Sequence, residues 1–277
     1  MQSSFIIHSV SIFIVFAILS CSKSEPENQQ NISAKELSEN WKDSFESDQI
    51  NFAFETFYSQ QDLLKSNSKI FPSNQKLQLS LQTIQLPPES VYLIGLKTNK
   101  SKSFFLENEK KEKKINPHQF GFTLDWNQQF NGSYLSAGLI ITQSSQLRSF
   151  QALSDYIAIE YIGVPPGKNG RLQVSEKRAG NLRILHDEGW PLQQREGKLL
   201  GIQKILAQFS SQGLEIKEND NMLIHNHNTS LFEQPVFFYF FVQSHNNYYE
   251  RTVFFDDIFV QPIKESLNNS EILRYTD

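Results

Sequence analysis

One cysteine occurs among the 277 residues, at position 21, and methionine is nearly as rare at 2. Beyond that cysteine the chain can form no disulfide, so a secreted domain has to be held by the size of its apolar core. Positive charge is also in short supply: the net charge is −4. The densest basic run, Lys110-Lys111-Glu112-Lys113-Lys114, contains a Glu, comes after Glu107 and Glu109, and reads as a solvated loop. Nothing here supports a nucleic-acid partner. A G-x-S-x-G elbow is missing, which leaves His186-Asp187 without a serine to activate, and phosphate-cradling glycine loops are missing too. The apolar run over 5–19 is broken by His8, Ser9 and Ser11 and is shorter than the roughly 20 residues a membrane span requires.

The C-terminal end of that run carries a signal of its own. Ile18-Leu19-Ser20-Cys21 resembles a bacterial lipobox, in which a short apolar stretch and a small residue precede a cysteine that becomes the acylated N-terminus. The resemblance implies a signal peptide over 1–20 and a diacylglycerol-bearing, palmitate-carrying Cys21. Its n-region, Met1-Gln2-Ser3-Ser4, departs from the pattern in having no Lys or Arg. Acyl chains contribute about 0.8 kcal/mol per buried methylene, so two or three hold a protein at a membrane surface. The expected localisation is the bacterial cell envelope, lipid-anchored and either periplasmic or surface-exposed, with the membrane as first partner. An acylated sole cysteine also removes thiol catalysis and cysteine metal sites. Residues 21–40, rich in Ser, Glu, Asn and Gln, read as a flexible tether that buries too little surface to order itself.

The remaining stretch, 41–277, is expected to form a single domain. Phenylalanine is abundant, 23 in the chain, and flat side chains fill sheet cores well. Period-2 patterns predict strands over 76–81, 90–98, 103–107, 120–126, 134–143, 155–164, 171–176, 181–186, 213–217, 221–225, 236–243 and 251–261. Glu218-Asn219-Asp220 suits a hairpin, and the Pro-Pro-Gly segment beginning at Pro165 cannot continue a ladder. Over 199–209 the three- and four-residue spacing of Leu199, Ile202, Ile205, Leu206 and Phe209 fits a helix, whereas Gly201 and the strand-rich surroundings favour a strand, which is the expectation here. Trp41, Phe45, Phe52, Phe54 and Phe57 fit either a helix or a strand pair. The run Val236-Phe237-Phe238-Tyr239-Phe240-Phe241-Val242 is apolar on both faces, so a strand covered on both sides is expected; the alternative has Phe237, Tyr239 and Phe241 flooring a groove. Sequential strands pairing as neighbours would give an all-β antiparallel sandwich.

The order of these pieces resembles the concanavalin A-like lectin/glucanase jelly roll, including its laminin-G-like members. The motifs are Trp41-Lys42-Asp43-Ser44-Phe45 at the entry, Phe120-Gly121-Phe122-Thr123-Leu124-Asp125-Trp126 before Gly132-Ser133-Tyr134, the Gly213 to Ile224 ladder, and a closing Asp256-Asp257-Ile258. Galactose-binding-like jelly rolls share the last strand and are the alternative fold. The resemblance implies glycan as ligand class and asks whether the domain is catalytic. Retaining glucanases of the laminarinase type carry E-[IL]-D-[IV]-E on one strand. Alternation puts the carboxylates on one face, about 5 to 5.5 Å apart, as a nucleophile and acid/base pair require. The matching segment here is Tyr156-Ile157-Ala158-Ile159-Glu160, which keeps only the acid/base position, Glu160. Tyr156 stands for the nucleophile and Ala158 for the supporting Asp, so the covalent route has lost its first step. The expectation is therefore a binder without catalytic residues, with Tyr156 and Glu160 facing the groove. A divergent laminarinase-type hydrolase and a structural or protein-adhesion lipoprotein are the alternatives.

Trp126, Trp190 and Tyr134 are candidate platforms for sugar rings. Trp126 is expected in the core and Trp190 in an exposed loop, so Trp190 joins Tyr156 and Glu160 as a ligand-binding candidate. His225-Asn226-His227 places two imidazoles two residues apart, which on a regular strand would share a face and could hold a metal, though two ligands are too few for a site. Asp256 and Asp257 are candidates for Ca2+, which needs more oxygen ligands than they supply. No cofactor is expected beyond that possible Ca2+, and the ligand is a polysaccharide or a surface protein.

Overall fold

The alternation of apolar and polar residues is satisfied by two packed antiparallel sheets. The computed structural model describes residues 41–47, 49–60, 64, 67–82, 91–107, 113–129, 135–163, 170–189, 199–245 and 250–263. All of them belong to the unit Ala34–Asp277. The expected signal peptide and tether, Cys21, Tyr134 and Trp190 lie outside the described residues.

In chain order the strands are β1 (Trp41–Asp43), β2 (Phe54–Tyr58), β3 (Ser68–Ser73), β4 (Lys76–Gln82), β5 (Val91–Thr98), β6 (Phe105–Glu107), β7 (Lys113–Ile115), β8 (His118–Gln129) and β9 (Leu135–Thr142). They continue as β10 (Tyr156–Ile162), β11 (Arg171–Arg178), β12 (Asn181–Gly189), β13 (Leu199–Ser210), β14 (Gly213–Glu218), β15 (Asn221–His227), β16 (Phe237–His245) and β17 (Glu250–Pro262). Among the described residues, an eight-stranded sheet runs β15-β14-β13-β8-β17-β4-β3, with β1 also on β17. A seven-stranded sheet runs β12-β11-β10-β9-β16-β5-β2, and β6 and β7 pair separately.

Hairpins do join several sequential strands, but the centre of each sheet is built from distant ones. β17 lies between β8 and β4, and β16 lies between β9 and β5. The expectation that strands pair mainly with their sequential neighbours therefore fails at the core. Central strands are covered on both faces, and β16 is apolar without a break from Phe237 to Val242.

The aromatic excess fills the space between the sheets. Phe104 is fully buried among His118, Phe120, Phe209, Phe232 and Phe238, with ring centroids 4.6 to 6.3 Å away in tilted or edge arrangements. Such geometries are the favoured ones for aromatic quadrupoles. Burial pushes the His118 imidazole down to about 4, so it is neutral and its Nδ1 donates to the Asn116 carbonyl at 2.7 Å.

Local departures from the sequence expectations have clear causes. Strand β13 alternates inward at Ile205, Ala207 and Phe209, while Ile202 is exposed. The helical spacing over 199–209 came from apolar residues on both faces of a strand, and Gly201, at φ +75, marks a bulge. Of the ambiguous N-terminal aromatics, Trp41 lies in β1 and Phe54 and Phe57 in β2, which pair with β17 and β5 and not with each other, while Phe45 and Phe52 lie between the two strands. Asp43 fixes the bend after β1 by accepting the Phe45 and Asn51 amides at 2.9 and 2.6 Å. Strand β3 carries Pro72, tolerated at a sheet edge, and joins β4 through Asn74-Gln75, both at positive φ. Without a glycine there, no turn signal announced it. Lys113 and Lys114 of the supposed loop belong to β7.

Replacing Phe104 by Ala removes the hub of this cluster and is expected to cost about 3 to 5 kcal/mol. Urea denaturation checks it; a loss below about 1 kcal/mol would mean the cluster collapses around the gap.

Candidate functional site

The odd-numbered residues of β10, Ile157, Ile159 and Tyr161, point into the inter-sheet core. Its even-numbered residues, Tyr156, Ala158 and Glu160, therefore share the outer face of the seven-stranded sheet, as strand alternation requires. Glu160 lies opposite Gly138 on β9 and Gln173 on β11. On the same face stand Ser136 of β9 and Gln243 of β16, which are direct cross-strand partners.

This outer face is not bare. The segment 143–155, between β9 and β10, folds over it as a strap. Tyr239 Oη donates to the Ser144 carbonyl at 2.9 Å, Lys97 Nζ to the Ser145 carbonyl at 3.0 Å, and Lys177 Nζ to the Gln151 carbonyl at 3.2 Å. At its base Thr142 Oγ1 donates to the Asp155 carbonyl at 2.8 Å. Its apolar residues pack downward: Leu147 and Leu153 are buried with Phe57, Leu93, Tyr239 and Phe241. Phe150 stacks edge-on to Phe241 at 5.2 Å and tilted on Tyr156 at 5.8 Å. The apolar run of β16 is thus covered on both faces as expected, by the opposite sheet on one side and by the strap on the other.

Beside the strap a cavity of about 430 Å³ is lined by Ser136, Phe150, Gln151, Tyr156, Glu160, Ile162, Lys177, Leu182 and Gln243. That volume falls in the range of small-molecule pockets. Its walls are mostly apolar, and Ser136, Gln151, Lys177 and Gln243 are the polar residues that line it with Glu160. Glu160 is 7 % exposed, and burial pushes its carboxyl up to about 7, the Ser136 hydroxyl beside it acting the other way. A carboxyl of this kind is a proton donor near neutral pH. Burial, with the Glu160 charge behind it, also raises Tyr156, so the phenol stays protonated. Among the described residues lining the pocket, Glu160 is the one carboxylate.

The other sequence candidates are not brought to this site. Trp126 is 1 % exposed in the inter-sheet core. His225 and His227 do not share a face, because Asn226 adopts φ 50 and the β14–β15 register shifts there. His225 pairs with Glu215 of its own sheet at 3.2 Å, whereas His227 reaches Glu176 of the opposite sheet at 3.1 Å. Asp256 accepts the Asp257 amide at 2.8 Å and is raised by burial, while Asp257 pairs with Lys42 at 3.3 Å. These acids sit at the bulge where β17 changes register along β8. Among the described residues no three His, Cys, Asp or Glu side chains converge as metal ligands.

Among the pocket residues, Ser136, Phe150, Gln151, Lys177 and Leu182 carried no signal of a binding role in the sequence. Gln243 could have been noticed, since it is the polar residue ending the Val236 to Val242 run, and it is buried. On the strap's far flank a second cavity of about 700 Å³ includes Lys97, Arg148 and Tyr58. There Lys97 is already paired with Glu55 at 2.9 Å.

Known structures share this arrangement of sheets. A prokaryotic β-1,3-1,4-glucanase (lichenase) derived from a mouse hindgut metagenome aligns with a TM-score of 0.52 and 10% identity, over 81% of this chain and 100% of that one. The fold is the concanavalin A-like jelly roll. The laminarinase catalytic domain from Thermotoga maritima matches at 0.54 and 10% identity, over 80% and 97%. An endo-β-galactosidase from Clostridium perfringens that releases GlcNAcα1-4Gal matches at 0.54 and 10% identity, over 79% of this chain but only 61% of that one. No protein-family model matches the sequence, and neither does any curated protein. The fold match to the lichenase and the laminarinase sets aside the galactose-binding-like alternative.

Glu160 leaves a thermodynamic signature. Its carboxyl goes from 4.5 to about 7 on folding, so between those values the folded chain holds a proton that the unfolded chain has released. Stability from this group is therefore present at low pH and declines by about 3 kcal/mol as pH rises through that window. Glu160→Gln removes the titration. Urea denaturation at pH 5 and pH 8 is expected to show a smaller decline in the variant than in the parent chain, and parallel declines would contradict the assignment.

Proposed function

We propose that this chain is a lipid-anchored envelope protein whose sandwich binds glycan at the Glu160 pocket without cleaving it. The observation that carries this reading is the lone carboxyl. Double displacement needs a nucleophile and an acid/base about 5 to 5.5 Å apart, and Tyr156 and Ala158 occupy the positions on that face where further carboxylates would stand. A pocket with an aromatic wall and a polar floor suits a sugar ring, whose one side is apolar and whose rim is hydroxylated.

The second reading is a divergent glycoside hydrolase, and the fold neighbours favour it, since those named above are glucanases and a galactosidase. Glu160, raised to about 7, has the property of a general acid at neutral pH. A third reading, protein adhesion, would use the same display at a membrane. Screening on a glycan array, with assay of reducing ends released from β-glucan and β-galactan oligosaccharides, separates the three. Binding with no release is expected. Release that vanishes in Glu160→Gln would establish the hydrolase, and an empty array with capture of a defined surface protein would favour adhesion.

The anchor is a proposal supported by the lipobox resemblance alone. Labelled palmitate is expected to enter the parent chain and to be absent from Cys21→Ala; equal labelling of both would overturn it.

A further inference from the structure

The outer face of the seven-stranded sheet is closed across most of its width. On four adjacent strands, β5, β16, β9 and β10, the outward residues Leu93, Phe241, Ile140 and Ala158 are each 0 % exposed. Strands in a sheet lie about 4.8 Å apart, so a strip of roughly 14 Å along which a polymer would have to lie is occupied by packed side chains. Exposure returns at β11, where Arg171 is exposed, and continues on β12, where Leu182 is 59 % and Ile184 44 % exposed. The Glu160 pocket sits where the closed strip ends. Phe150 and Gln151 of the strap line it, together with Leu182 of β12, the exposed cross-strand neighbour of Lys177.

From this geometry we infer that the pocket takes the terminal unit of a saccharide, entering from the β12 side, and excludes internal segments of a polymer. The inference rests on the glycan reading and narrows it. A chain continuing past the pocket in both directions would have to displace the strap, which is held by Tyr239, Lys97 and Lys177 and by the buried contacts of Leu147, Phe150 and Leu153. A chain end needs only one opening. Its apolar ring face can lie against Phe150 and Tyr156, and its hydroxyls can reach Glu160 and Gln243 at the floor.

The test uses the mature-length chain on an array of oligosaccharides attached through their reducing ends, graded in length and in terminal unit, with soluble cyclic β-1,3-glucan as an endless competitor. Binding is expected to follow the terminal unit, to change less than about threefold beyond the disaccharide, and to resist the cyclic competitor. Affinity that climbs about tenfold or more with length, or effective competition by the cyclic glucan, would overturn the inference and leave the glycan reading standing. An empty array would remove the glycan reading itself, and this inference with it. Leu182→Trp, made at an exposed position that folding does not depend on, is expected to abolish binding by filling the entrance. Undiminished binding by that variant would place the ligand elsewhere and overturn the assignment of the opening.

Discussion

The burial of the outer sheet face beneath the 143–155 strap is the constraint on which the rest of the site depends. A jelly roll has one face of each sheet in the common core, and the other face has to be either wet or covered. Here Tyr239 and Phe241 make it too apolar to be wet, so the chain folds back over it. Tyr239 serves both needs: its ring packs edge-on against Phe57 at 5.0 Å, and its hydroxyl holds the strap's backbone. Because the cover ends over β11, where Lys177 holds the Gln151 carbonyl, the one carboxyl of the outer face of β10 is left in a dry pocket beside the boundary. Its raised proton affinity is a consequence of that position.

The same logic governs the polar groups between the sheets. Tyr161 donates to Glu218 at 2.7 Å, tying β10 to the end of β14, and burial raises both groups. Glu176 accepts from Thr229 and meets His227, bridging β11 to the end of β15 and the turn beyond it. A buried polar group left single would cost more than it contributes, so each of these is matched across the interface. The Glu160 floor differs from them in opening onto a cavity, which is what makes it a candidate for binding and the others part of the framework.

Much of the fold was legible because strand alternation is a local property. The strands of the later two thirds of the domain were marked by period-2 runs, and the Asn219-Asp220 hairpin by its turn residues, both at positive φ. Pairing order was not legible, since β8 meeting β17 and β9 meeting β16 depends on long-range packing that no local pattern encodes. The pairing of Tyr156 and Glu160 on one face came directly from their spacing. The strap did not: Leu147, Phe150 and Leu153 recur every three residues, which marks no strand, and only the three-dimensional position of β16 gives them something to cover. The orientation of His225 and His227 was not legible for the converse reason, because a single left-handed residue, Asn226, undoes the alternation that spacing assumes.

Both the pocket and its chemistry require Glu160 to be dry under the edge of the strap. Its carboxyl carbon can be followed directly by 13C NMR as pH is varied in the folded chain. A midpoint near 7 is predicted. A midpoint near 4.5, the value of a solvated glutamate, would mean that the pocket is open to water and that the strap does not close the face.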